Sequence, residues 1–324
     1  LVGVGLVVFF ANAALLILQL VASRLLAPFV GSSLETWTSI IGVFLTGIAL
    51  GNALGGKLAD RYPTPRTLGI VLIVGAVTAL WMVVFPLLLT GSGIYQLLPL
   101  GPRIPLLAVL LCLPAGFVLS LLTPLAIKLG LPDVGHTGRV AGLVFALSTL
   151  GCLLGNYLTG FVLIPLFTVN MLVFVSAGVL IALGGGTFAI LRPMPAGPNE
   201  LDSDLSSVAA TSEPTLTNLH AFRDIRRAYL IVFLASFGGM TLELTASRVL
   251  AQFLGVSLFT WTGIIGVMLA GTALGNFLGG LIADRVNRPG SRMNPRNVLA
   301  TTLMLAGGTT VLLFVTLALV QRNA

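Results

Sequence analysis

Residues 20–61, LVASRLLAPFVGSSLETWTSIIGVFLTGIALGNALGGKLADR, return at 244–285 as LTASRVLAQFLGVSLFTWTGIIGVMLAGTALGNFLGGLIADR. About 29 of the 42 positions are identical at a constant offset of 224, which an internal duplication explains. A fainter echo places Gly151, Gly155, Asn156 and Gly160 where the first copy has Gly47, Gly51, Asn52 and Gly56. The fifth apolar segment therefore copies the second, and the repeating unit is three segments long.

Those segments are read as membrane helices. Of 324 residues, 56% are hydrophobic and 8% charged, against roughly 25% charged in an ordinary soluble domain. The mean hydropathy of +1.06, carried by long unbroken apolar runs, excludes a water-soluble globule. It equally excludes an outer-membrane barrel, whose strands alternate apolar and polar positions. Runs long enough to cross about 30 Å of hydrocarbon fall near 3–27, 37–58, 67–90, 104–128, 140–164, 169–191, 228–252, 261–282 and 297–320. The expected fold is all-α and polytopic, with about nine transmembrane helices in three-helix repeats. The first run has no basic start and is too long for the apolar region of a signal peptide. Since the chain begins at Leu1, native residues are expected to precede it. The domain reading is a first half over 1–191, a flexible linker over 192–227 rich in Ser, Asp, Glu and Pro, and a second half over 228–324.

The formal charge of +7 does not point to nucleic acid, because the basic residues stand singly between apolar runs. With a cytoplasmic N-terminus, 13 of the 17 Lys and Arg fall on the cytoplasmic side, as the positive-inside rule requires. The turn at Asp133 to His136 then also lies there. Cys112, Cys152, His136 and His220 cannot assemble a disulfide framework or a zinc site. No metal and no cofactor are expected, and the partner that composition demands is the lipid bilayer.

Three-helix units paired into a six-helix half, a long cytoplasmic loop and a second half resemble the major facilitator superfamily. Gly56, Leu58, Ala59, Asp60, Arg61 and Arg66 resemble its signature between the second and third helices. Gly280, Ile282, Ala283, Asp284, Arg285 and Arg296 repeat that likeness after the eighth. Pro63 stands where the signature has glycine, and the chain ends after nine helices where the superfamily has twelve, so it is a fragment or lacks the last three. The run from Ala22 through Arg24 and Pro28 to Trp37 and Ile41, with Gly138 to Leu166, resembles the membrane portion of bacterial spermidine synthase-like proteins. That likeness implies a bacterial inner-membrane location and a soluble aminopropyltransferase-like domain as partner. No soluble strand, glycine-rich loop and helix unit is present in this sequence, so no catalytic residue carries over and the chain is not expected to be an enzyme.

Several residues stand out. Gly47, Gly51 and Gly55, with Gly271, Gly275 and Gly279, recur every fourth position and line one helix face, which suits close helix packing. Asn52, Asn156 and Asn276 are read as interhelical amides, since an amide in hydrocarbon must find partners. Arg24 and Arg248 sit near the outer ends of helices 1 and 7, where they snorkel or meet a ligand. Glu243 lies five residues, about 7.5 Å, from Arg248 but on another face, and a mid-helix carboxylate costs roughly 2.5–3.5 kcal/mol to insert. It is expected to pair across the cavity with a group on helix 1 such as Gln19, or to be protonated. Trp37 and Trp261 are read as aromatic-belt anchors or ligand contacts, and Glu35, replaced by Phe259 in the second copy, as a feature of the cavity mouth. Asp60 with Arg61, and Asp284 with Arg285, cap helix ends or form a cytoplasmic gate, as the facilitator resemblance implies.

Two functions fit this reading. One is a facilitator-like membrane module binding or translocating a small solute, with a cationic amine suggested by the polyamine resemblance. The other is a non-catalytic scaffold or accessory subunit of a larger membrane complex.

Overall fold

The computed structural model describes residues 2–130, 137–190, 217–255, 257–286 and 294–323. Among these, nine helices are long and apolar enough to cross a membrane. They are α1 (Val2–Val30), α2 (Leu34–Arg61), α3 (Pro65–Ser92), α4 (Leu100–Gly130), α5 (Val140–Leu166), α6 (Val169–Ile190), α7 (Thr217–Leu254), α8 (Leu258–Val286) and α9 (Pro295–Asn323). Every expected apolar run becomes a helix, because in hydrocarbon the backbone can satisfy its own polar groups only by helix or closed barrel. The helices overrun the apolar runs at most ends. At α7 the overrun is largest, so Arg226 and Arg227, placed in the linker by composition, are helical. The rest of the expected linker, through residue 216, and the turn at Asp133 to His136 lie outside the described residues.

Helix ends follow local chemistry. Gly93 ends α3 in the left-handed conformation (φ 62°) that only glycine adopts without strain. Thr64 caps α3, its hydroxyl accepting from the Thr67 N–H at 3.2 Å, with Pro65 at the first helical position. In α5 a π-helical stretch over Leu158–Leu163 precedes Pro165, widening the helix where α8 crosses it.

Packing in the first half repeats itself. α2 lies on α4 and α5 lies on α1, which is the same contact made twice if α4–α6 copy α1–α3. A Cβ at Gly51 would fall 2.8 Å from the Ser120 Cβ, and one at Gly55 would fall 2.9 Å from the Leu121 Cα. At the copied contact, a Cβ at Gly155 would fall 3.0 Å from the Ala13 Cα. The third pair, α3 on α6, is reciprocal: a Cβ at Gly69 would lie 3.1 Å from the Gly184 carbonyl oxygen, and one at Gly184 would lie 3.1 Å from that of Gly69. Between these pairs sits an apolar core that includes Leu18, Leu26, Phe44, Leu72, Leu111 and Leu125, all fully buried.

The second half joins the first chiefly through α8 on α5. Backbones nearly touch at one end, where a Cβ on Gly142 would stand 2.8 Å from the Gly280 Cα. Midway, the Asn276 amide donates to the Thr149 hydroxyl at 3.3 Å, and further along the Asn156 amide donates to the Thr262 carbonyl at 2.7 Å. α7 packs on α8, and only 6% of its most apolar window is buried; for α9 the figure is 0%. Most of the described large apolar side chains of α7 and α9 thus face lipid or another protein, Met240 and Leu244 packing inward.

Candidate functional site: the seam between the halves

The duplicated sequence builds the same corner twice. Gly31 turns the chain after α1 at φ 78°, and the Ser33 hydroxyl accepts from the Thr36 N–H at 3.2 Å. The Thr36 hydroxyl in turn donates to the Gly31 carbonyl at 3.1 Å. Gly255 (φ 76°), Ser257 and Thr260 repeat each bond, at 3.1 Å and 3.1 Å. Each corner fixes the first turn of the following helix, and with it the tryptophan one residue after the threonine.

Trp37 and Trp261 stack on each other with ring centroids 5.8 Å apart and planes 12° from parallel. Their residual exposures are 8% and 4%, so the two indoles lie against each other and not singly at the surface. Leu20, Ile41 and Ile265 complete this apolar seam. Offset-stacked aromatic pairs add about 0.5–1.5 kcal/mol beyond their buried area.

Cavities flank the seam. One of about 490 Å³ is lined by Leu34, Thr38, Thr241, Leu244, Thr245 and Arg248. A second, of about 300 Å³, holds Ser247, Arg248, Gln252, Thr260 and Trp261 with Leu34 of the other half. A third, of about 170 Å³, holds Ser23, Arg24, Ser32, Thr36 and Trp37 with Ser257, Leu258 and Trp261 of the other half. Arg24 and Arg248 are exposed, and neither makes a hydrogen bond or ion pair with a described residue.

The structure does not bring every expected partner together. α1 and α7 are not a packed pair. Gln19 and Glu243 are both partly buried but make no hydrogen bond with each other or with any described residue. Glu35 is exposed and lines none of the three cavities. At the far end of α2, the Lys128 ammonium reaches the exposed Asp60 carboxylate at 3.2 Å, a contact within the first half. Arg61 lies over the Tyr62 ring, its guanidinium carbon 5.6 Å from the centroid, and Asp284 and Arg285 sit at the matching end of α8. Around Gly271, Gly275 and Gly279 there is open space, in contrast to Gly47, Gly51 and Gly55. Asn156 is fully buried, and its carbonyl oxygen has no partner among the described residues; nor do the Thr159 and Thr262 hydroxyls or the Asn52 carbonyl oxygen.

Sequence reasoning passed over Thr38, Thr245, Ser23, Ser247 and Lys128. The constant offset already paired Ser23 with Ser247 and Thr36 with Thr260, a signal that could have marked the two smaller cavities.

The sequence model of the Major Facilitator Superfamily matches residues 1–322. The chain belongs to that superfamily. No curated protein matches it. As a major facilitator protein it is a multi-pass, all-α membrane protein with the build of a small-solute facilitator. The duplicated corners, the stacked tryptophans and the flanking cavities are where its two homologous parts meet.

Proposed function

We propose that the chain binds and translocates a small solute along the cleft between its halves, with the tryptophan seam as the movable closure at one end. The observation that carries this is the pairing of Trp37 with Trp261 beside a hydroxyl-lined cavity of about 490 Å³. A cavity at the junction of its repeats, lined by three threonines and an arginine, is of use to a transporter and not to a scaffold. The halves are 1–191 and 228–324, joined by the linker, in a bacterial inner membrane with the N-terminus cytoplasmic. The basic distribution supports that orientation, and it puts the seam on the outer side and Asp60, Arg61, Asp284 and Arg285 at a cytoplasmic gate. The solute contacts are Gln19, Arg24, Trp37, Glu243, Arg248 and Trp261, with Glu35 at the mouth.

The wording of the repeat supports a narrower placement as the membrane module of a spermidine synthase-like protein, and Glu243 supports an amine among its solutes. The test is polyamine binding to the purified chain and to Glu243→Gln. Binding lost on neutralising the carboxylate, in a protein that stays folded, supports the amine. Unchanged binding removes Glu243 from the site.

A second reading has its own support. α7 and α9 leave broad apolar faces uncovered, as a subunit of a larger complex would. Under that reading Glu243→Gln leaves complex yield intact and no solute binds.

A further inference from the structure

Where α8 crosses α5, the two halves share a group of buried polar atoms that the cleft does not use. Asn156, Thr159 and Thr262 are all fully buried. The Asn156 amide donates to the Thr262 carbonyl at 2.7 Å, which leaves the acceptor end of that amide without a partner among the described residues. The hydroxyls of Thr159 and Thr262 are likewise unpartnered. Three such oxygens are costly in a hydrocarbon interior, where bulk water cannot satisfy them.

The backbone gathers these groups. Asn156 and Thr159 stand three residues apart on α5, on neighbouring faces of one turn. Gly160 follows, and a Cβ there would meet the Thr262 hydroxyl and lie 2.8 Å from the Thr262 Cβ. Thr262 therefore sits in a notch that only glycine leaves open. Over Leu158–Leu163 the helix is π-wound, the Ile164 N–H reaching back five residues to the Thr159 carbonyl, and π turns inside α-helices recur at functional sites.

Electrostatics set the kind of ligand. Because the donor end of the amide is spent, the group offers oxygen lone pairs, the complement of a cation and not of an anion. Residues 140–166 carry no charged side chain, and α8 has none before Asp284, about 33 Å along the axis from Thr262. With no carboxylate to offset a second charge, the burial cost, which grows as the square of the charge, restricts the ion to one unit. Hydroxyl and carbonyl oxygens are hard ligands of the sort that replace the hydration shell of an alkali cation.

We propose that Asn156, Thr159 and Thr262 form a site for a monovalent alkali cation that bridges the two halves. Because two ligands come from α5 and one from α8, the ion binds the apposed halves better than the parted ones, and such differential affinity shifts a conformational equilibrium. Thr262 directly follows Trp261, which ties the site to the tryptophan seam. Coupling of the ion to solute movement rests on the proposed function, whereas the binding does not.

The test is thermal unfolding of the purified chain in detergent, titrated with sodium, potassium or choline chloride at constant ionic strength, beside binding of radioactive sodium. A saturable rise in Tm with either alkali salt, absent in choline, supports the site. Thr159→Val and Thr262→Val keep the shape and remove one ligand each. Each should weaken the alkali response by about tenfold or more, the value of one charge-assisted contact, while Thr262→Ser, which keeps the oxygen, retains most of it. In choline chloride neither valine variant should melt below the parent, which separates a lost ligand from a lost fold. The proposal is overturned by equal shifts in all three salts, by no saturable response to either alkali salt, which would leave these oxygens to a buried water only, or by a response that survives both valine substitutions. Binding at equilibrium needs no gradient and no solute, so failure of translocation and failure of this site are separately visible.

Discussion

Gly51 and Gly275 are the same residue of the duplicated sequence, yet the structure gives them opposite surroundings, and replacing each by alanine should change stability in opposite directions. At Gly51 an added methyl would meet the Phe117 carbonyl oxygen and, at 2.8 Å, the Ser120 Cβ. Neither can be removed by rotating a side chain, so α2 must back away from α4. Overpacking of this kind costs about 1–3 kcal/mol, and contact with backbone puts Gly51 at the upper end. The gain in helix propensity from Gly to Ala, about 0.8–1 kcal/mol, offsets part of it. A net loss of about 2 kcal/mol should lower Tm by roughly 3 °C in a chain of this size. Gly275 has nothing within 4 Å of the new methyl, so only the propensity gain remains, and Tm should rise by roughly 1–2 °C. The assay is thermal unfolding in detergent of Gly51→Ala and Gly275→Ala side by side. Equal destabilisation of both, or no loss at Gly51, would refute the packing described for α2 and α8.

The remaining expectations concern the halves and their ends. Asn156→Leu removes the amide that donates to the Thr262 carbonyl at 2.7 Å; unfolding in detergent should show a loss of about 1–2 kcal/mol, and an unchanged Tm would mean the bond contributes nothing. Thr262→Val removes a buried hydroxyl without a partner among the described residues, so in alkali-free buffer Tm should hold or rise, whereas a drop would reveal a bound water there. Lys128→Ala breaks an ion pair whose side chains are 49% and 74% exposed; its stability cost should stay within about 0.2–1 kcal/mol, and a larger cost would mark a structural lock. A cysteine replacing Pro63 should react with an impermeant maleimide only from the cytoplasmic side of oriented vesicles, and reaction from the other side would invert the proposed topology.

Much of the architecture was legible in residues because the membrane leaves so few options. Twenty apolar positions in hydrocarbon must be helical, and the offset of 224 fixed the register of the second copy against the first. The corner Gly31, Ser33 and Thr36 could be matched to Gly255, Ser257 and Thr260 before any coordinates. What could not be read was which face of each repeated helix finds a neighbour. Gly47 and Gly271 are equivalent in sequence, but the first meets Phe117 and Gly116 of α4 while the second meets open space. Nor could the pairing of Trp37 with Trp261 be read, since a tryptophan at the start of a membrane helix suits a headgroup belt equally well. Only the crossing of the halves through α5 and α8 brings the two indoles face to face. Glu243 was expected to meet helix 1 or to be protonated; α1 and α7 are not packed together, a consequence of how the halves meet and not of any local pattern.

The claim that the cleft carries a solute from one side to the other is tested most directly at Thr245, which lines the largest of the described cavities at the seam. In a chain with Cys112→Ala and Cys152→Ser, Thr245→Cys is exposed to an impermeant maleimide from one face or the other of oriented vesicles. If the two halves rock to open the cleft alternately, the cysteine reacts from both faces, and a disulfide locking Trp37→Cys to Trp261→Cys abolishes reaction from the seam side alone. Labelling from a single face without that lock, or from both faces with it, would contradict translocation.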